Sequence, residues 1–238
     1  MAARMILACI LLIVTRVKTG AEGFLELYGG PAIKGTADVH VSGTGSSGTT
    51  SAASSIDLSS SAAFGARMGV WHPTYTWIGL GMDIGYLNAH GPGVDIDAIP
   101  FSFLLALRAP LYATPDRPGG RLQPYAMAGL SFYLVDISVH QGGAGGSSLQ
   151  GSSLFFGGSG DPVLGPYLAA GLAWQPSRNL AVFGEYRYSS FDAGFDTTNS
   201  FLFPTANGKV DTSVKTDHVL FGFSYRFMES LPGKEALP

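Results

Sequence analysis

Charge is scarce in this sequence. Only 13% of its 238 residues are Asp, Glu, Lys or Arg, about half the share of a typical soluble domain. Its formal net charge is −3 and no basic cluster occurs, which argues against nucleic-acid binding. Cys9 is the only cysteine, so a disulfide scaffold is excluded. No apolar run reaches the roughly 18 residues of a membrane-spanning helix. Phosphate loop, zinc motif, dinucleotide fingerprint and EF-hand spacing are all missing, so no cofactor or metal is expected. The chain is nevertheless too apolar for disorder, with 46% hydrophobic residues. What it has in plenty is glycine (33) and aromatics (15 Phe, 10 Tyr, 3 Trp), a composition that suits β structure.

Residues 1–21 read as an export signal of the Sec type. Arg4 precedes an apolar run from Met5 to Val14, too short to span a bilayer but right for a secretory h-region. Thr19-Gly20-Ala21 offers small residues for cleavage after Ala21. Cys9 then lies in the signal core. Ile6-Leu7-Ala8-Cys9 has a faint likeness to a lipoprotein box, but too little of the h-region would precede that cut. Removing Arg4, Arg16 and Lys18 takes the mature charge to −6.

The rest alternates. In 76–87, Ile78, Leu80, Met82, Ile84 and Tyr86 share one face, and Gly79, Gly81, Asp83 and Gly85 the other. This period of two marks a strand with one greasy and one small or polar face. It recurs in 99–111, 124–134, 180–188 and 218–227, and more weakly in 24–41, 56–71 and 165–175, giving eight strands. Pro100 and Pro110 each remove a ladder donor, so they are expected to mark the ends of their strand. The connections 43–55, 88–95, 141–161 and 192–211 are long or polar, while those near His72-Pro73 and Pro176–Asn179 are tight. Residues 112–121 are the longest of the second set. Long connections at one end and short ones at the other predict an all-β, eight-stranded antiparallel up-and-down transmembrane barrel over residues 22–227, with a short tail at 228–238.

Magnitudes assign the faces. An Arg facing lipid at the bilayer midplane costs about 2–4 kcal/mol, so the face holding Glu185 and Arg187, and that holding Ser224 and Arg226, must point inward. Inward parity then collects Glu26, Lys34, Arg67, Asp83, Arg108, Glu185, Arg187, His218 and Arg226, with bases outnumbering acids. Outward parity runs ten residues from Phe227 back to Asp217, a rise of about 25 Å at a tilt near 40°. Ala126 to Asp136 and Leu107 back to Asp97 repeat the spacing. Trp71, Tyr75, Trp77, Tyr112, Tyr125, Trp174, Tyr225 and Phe227 fall near strand ends, where aromatic girdles belong. In a soluble barrel of the lipocalin kind, the outer face would instead be rich in Lys, Glu and Thr.

The sequence resembles the small bacterial outer-membrane barrels, the OmpA-type and opacity-type transmembrane domains. The resemblance rests on Gly165-Pro166-Tyr167 through Gly171-Leu172, on Pro176–Leu180, on Glu185-Tyr186-Arg187-Tyr188, and on the last strand, LFGFSYRF. That strand has the form of the assembly signal in Gly222, Tyr225 and Phe227. The resemblance implies outer-membrane localisation, contact with membrane lipid and lipopolysaccharide, and delivery by the outer-membrane assembly machinery. MESLPGKEALP follows Phe227, where the family ends on its terminal Phe, and no wall-binding domain follows.

Three functions stay open. The first is a structural or surface-interaction protein, not an enzyme, whose extracellular loops make the contacts with surface ligands. Leu154, Phe155 and Phe156 in the Gly/Ser-rich loop are the candidate contact residues. The second is a narrow, low-conductance, porin-like pore through the charged lumen, although eight strands enclose little more than side chains. The third is a lipid A-modifying hydrolase using Asp136, Ser138 and His140, an acid, a nucleophile and a base on one strand face. The lipid A deacylases carry His-x-Ser, whereas this sequence has Ser138-x-His140, and a polar rim explains the same residues. His90, Asp95 and Asp97 are similarly suggestive of outer-membrane proteases, which have more strands and a longer chain.

Overall fold

The computed structural model describes residues 21–45, 48–58, 60–91, 94–114, 117–140, 148–153, 163–198 and 207–228. The expected signal residues 1–20, the tail beyond Met228, and Leu154, Phe155 and Phe156 lie outside the described residues. Ten strand segments make eight staves. They are β1 (Glu22–Gly45), β2 (Gly48–Asp57), β3 (Ser60–Trp71), β4 (Ile78–Gly91), β5 (Val94–Arg108), β6 (Leu122–His140), β7 (Ser148–Ser153), β8 (Leu164–Trp174), β9 (Leu180–Thr198) and β10 (Asn207–Met228). β2 and β3 form one stave beside β1, and β7 and β8 form one beside β6. Antiparallel pairing of β10 with β1 closes the ring.

Closure is staggered. Paired residues lead from Asp217 through Tyr188, Leu168, Ala128, Leu105, Leu80, Val70 and Gly23, and return to β10 at Phe227, ten residues on. For eight strands a stagger of this size means a tilt near 40° and an interior that side chains can fill.

The strands run further than the periodicity predicts. Much of 43–55, read as a loop, is the β1–β2 hairpin, and 88–95 and 192–211 likewise contribute to strands. Pro110 lies beyond β5, but Pro100 lies inside it. The β4–β5 ladder has pairs at Ile84–Phe101 and Leu87–Ala98 and none between, so the absent proline N–H falls in that gap.

Along each strand the parity holds while the chemistry inverts. On β4, outward Leu80, Met82, Ile84 and Tyr86 give way to Asn88 and His90, and inward Asp83 gives way to Leu87 and Ala89. On β9, buried Glu185 and Arg187 are followed by buried Phe191 and Ala193, and outward Tyr186 by Asp192. β10 changes from outward Phe223 and Phe221 to Asp217 and Lys215. The lower part is therefore apolar outside and charged inside, as a wall facing hydrocarbon must be. Leu27, Leu80 and Phe223 are each more than 60% exposed there. The upper part is polar outside and apolar inside, like a soluble barrel in water. There Leu58, Leu87, Ile96, Tyr133, Val135, Val163, Phe191 and Val214 form one buried cluster.

Parity changes within β1, and with it between Leu58, buried just past β2, and Ala63, Arg67 and Trp71, buried on β3. The β1–β10 register shifts between Ala32 and Lys34, leaving Ile33 as the extra residue of a bulge. Before it Phe24, Glu26 and Tyr28 face inward; after it Gly35 and Ala37 do.

Candidate functional site: the charged lumen and the outer rim

Side chains fill the lumen in tiers. At the tight-turn end, the Glu22 carboxylate accepts two hydrogen bonds from Arg108, at 2.9 and 2.7 Å, and lies 3.5 Å from Arg226. The Arg108 guanidinium stacks 4.1 Å over Trp71 and donates to the Thr76 carbonyl at 2.7 Å. Gln123 and Gln175 are buried beside it and bonded to each other at 2.9 Å.

Arg67 is the centre of the middle tier. It donates from Nε to Asp83 (3.2 Å), from Nη1 to Glu26 (3.0 Å) and Glu185 (2.9 Å), and from Nη2 to Glu185 (2.9 Å) and the Tyr167 hydroxyl (2.6 Å). All five guanidinium donors are thereby used. Arg187 donates to Glu185 at 3.0 Å and to the Tyr28 hydroxyl at 2.9 Å, and Tyr28 donates to Asp83 at 2.8 Å. Tyr125 donates to Glu185 at 2.9 Å and Ser224 to Glu26 at 3.0 Å. Arg226, 3.6 Å from Glu26, links the two tiers. β3 supplies the room: a Cβ at Gly65 would come within 2.7 Å of the Tyr28 ring, and one at Gly69 within 2.5 Å of Phe24.

Charge balances in these tiers. Glu22, Glu26, Asp83 and Glu185 face Arg67, Arg108, Arg187 and Arg226, and all eight are buried. Burying an ion costs several kcal/mol unless partners replace its water, and here each carboxylate has an arginine. The excess of bases expected from the sequence disappears for two reasons. Lys34 is not in the lumen, because the bulge at Ile33 turns it outward, opposite Asp217 in the β1–β10 register. Glu22, which sequence reasoning left at the edge of the barrel, enters it; its parity with Phe24, Glu26 and Tyr28 is the signal that could have found it. His218 is buried higher up, its Nε2 3.4 Å from the Ser61 hydroxyl. Above it the apolar cluster begins, with Tyr133 and Phe191 stacked at 4.4 Å.

The girdle also needs correction. Trp71 and Tyr125 point into the lumen, as their contacts with Arg108 and Glu185 require. Tyr75, Trp77, Tyr112, Trp174, Tyr225 and Phe227 are exposed at the tight-turn end. Of the residues read as an assembly signal, Tyr225 and Phe227 face outward with their rings 4.8 Å apart. A Cβ at Gly222 would come within 2.5 Å of Phe183. At the other edge of the belt two tyrosines donate to aspartates, Tyr86 to Asp97 at 2.5 Å and Tyr186 to Asp217 at 2.6 Å. The Tyr86 hydroxyl, helped by the Asn88 amide at 2.7 Å, holds the Asp97 carboxyl below the usual aspartate range.

His90 Nδ1 lies 2.7 Å from Asp95 on the exposed outer rim. Asp136, Ser138 and His140 alternate along β6, paired in register with Asp97, Asp95 and Ser148. Their side chains lie outside the described residues. Among the described residues no group of His, Cys, Asp and Glu is placed to hold a metal.

No family model matches the chain, and no curated protein matches it. Solved structures do. The outer membrane protein OprG from Pseudomonas aeruginosa is 11% identical, with a TM-score of 0.51 over 89% of this chain and 98% of that one. The fold is that of the small outer-membrane β-barrels. Neisserial surface protein A is 14% identical, with a TM-score of 0.47 over 87% and 99% of the two chains. Ail, the attachment invasion locus protein of Yersinia pestis, is 14% identical, with a TM-score of 0.40 over 87% and 99%. The chain shares the OprG fold at 11% identity, since such a barrel asks only for parity, length and turns.

Proposed function

We propose that this outer-membrane barrel does not conduct and that its role is structural or in surface interaction, exercised beyond the outer leaflet. The observation that carries this reading is the filled lumen. Two balanced ionic tiers are capped by an apolar cluster, and an ion crossing them would have to displace both. The second support is reach. β10 continues ten residues past Asp217 to Asn207, and β1 continues to Gly45, a rise of about 25 Å at the barrel's tilt. This projecting part has a soluble-type core and a polar outer face with Lys34, His40, Asp57, Asp192, Asp211 and Lys215 exposed, so it is a platform suited to water.

Single-channel recording from refolded protein in a planar bilayer tests the reading, with an unboiled-versus-boiled gel shift to certify the barrel. Silence from folded protein is expected. Discrete current steps that vanish when Glu185 and Arg187 are changed together would replace this reading with that of a narrow pore.

A further inference from the structure

The tight-turn end carries a feature that neither a plugged lumen nor an outer platform explains. Two neighbouring turns, 109–121 and 175–179, are tied together by Gln175. Its backbone N–H donates to the Arg121 carbonyl at 2.9 Å, and its side-chain amide donates to the Arg178 carbonyl at 2.8 Å. Arg121 and Arg178 are exposed there, and among the described residues no ion pair engages either. Exposed aromatics flank them. Trp174 pairs with Leu122, and Leu111 bridges Leu122. Tyr112, next to Leu111, is 77% exposed and held at a φ of +56°, a conformation costly for a bulky residue.

The outer wall above this cluster is concave. A groove of about 400 Å3 runs over Ala126, Ala128 and Ala170, walled by Leu105 and Leu107 on one side and Tyr186 on the other. Its cause is side-chain size: three alanines stand between larger neighbours on paired strands. Arg121 and the alanines of β6 are five to seven residues apart on the chain, about 16–23 Å along it. At a tilt near 40° that is a rise of roughly 13–18 Å, the hydrocarbon depth of a single leaflet, about 15 Å.

We infer that the Arg121–Arg178 turn pair and the alanine groove above it form a site for one anionic phospholipid of the periplasmic leaflet. The two guanidinium groups take the headgroup, whose negative charge matches them. Trp174 and Tyr112 sit at the level of the glycerol and ester groups, as interfacial aromatics do. One acyl chain lies in the groove, which is apolar because the groups that line it are.

Native mass spectrometry of the full folded protein tests this, after reconstitution into vesicles of phosphatidylcholine with or without phosphatidylglycerol and gentle detergent extraction. Retention of one phosphatidylglycerol per barrel, enriched roughly tenfold or more over phosphatidylcholine, is expected from two arginines at the surface. Arg121→Gln with Arg178→Gln should bring the enrichment close to one. Ala128→Phe should cut retention with both arginines in place, and the gel shift reports whether either variant folds. Equal retention of the two lipids by the unaltered protein would overturn the site without any variant. So would unchanged enrichment in a folded double variant, or a lipid-free dimer in which a second copy fills the groove.

Discussion

A single side chain carries much of the lumen. Arg67 spends all five donors on three carboxylates and a tyrosine, with no exposure of its side chain. Replacing it with methionine keeps the bulk and removes the arginine that Glu26, Asp83 and Glu185 share, leaving four carboxylates in the lumen to three arginines. Breaking a buried ion pair from one side costs about 3–5 kcal/mol, so Arg67→Met should lower the temperature at which the folded gel band converts to the unfolded one. Adding Glu185→Gln should recover part of the loss, because the two positions share one network. Asp97 is a second case. Its carboxyl is held low in the folded barrel, so the stability it contributes is present above the ordinary aspartate value of about 3.9. That contribution is lost as the pH falls below this value, through the lower folded one. Tyr86→Phe removes the donor that is the main cause. Carboxyl titration by NMR should then find Asp97 moved back up toward its ordinary value.

At the scale of the strand, the bulge at Ile33 decides which half of β1 sees which solvent. Below it, alternate residues must put Glu26 and Tyr28 into the ionic tier; above it, Gly35 and Ala37 must reach the apolar cluster. A strand without a bulge would place Lys34, Thr36 and Asp38 inside instead, since a one-residue slip exchanges every side chain between faces. Deleting Ile33 should therefore be tolerated by the β1–β10 ladder, because Lys34 still faces Asp217 while Gly35 and Ala37 stay inward by the parity of Phe24, Glu26 and Tyr28. Inserting an alanine after Ile33 should instead slip the upper half by one residue, and hydrogen exchange should show protection lost over 34–45 and kept over 22–29. The inward assignment of Lys34 came from carrying one parity through 24–41, and nothing in the local pattern GGPAIKG announces the extra residue. Pro100 is a similar case: the residue shows that one donor is missing, but only the partner strand shows where a missing donor does no harm.

For the whole molecule, the inversion of polarity along the strands sets the height of the membrane. The outward residues Phe103 and Phe223 lie in the apolar belt, His90 and Asp211 above it, and Arg178 at the turns below. Single cysteines at these positions make the arrangement measurable, because the one natural cysteine, Cys9, lies within the expected signal. A membrane-impermeant maleimide added to intact cells should label His90→Cys and Asp211→Cys. It should miss Phe103→Cys and Phe223→Cys, and reach Arg178→Cys only once the outer membrane is permeabilised. Labelling of Arg178→Cys from outside would reverse the orientation and remove the leaflet assigned to the anionic lipid.

The sequence by itself determined the class of fold, the strand count and the sidedness of almost every strand. These follow from period-two alternation and from the cost of a charge in hydrocarbon, which are local and need no partner. Glu185, Arg187 and Arg226 were legible as lumen residues for that reason. The tertiary structure alone decided the rest. It showed that Glu22 enters the lumen and Lys34 leaves it, that Trp71 and Tyr125 turn inward, and that acids and bases balance around Arg67. Those outcomes depend on register, closure and a bulge, which are relations between strands that lie far apart in the chain. For the same reason the alanine groove shows only when Ala126, Ala128 and Ala170 are seen side by side on the wall.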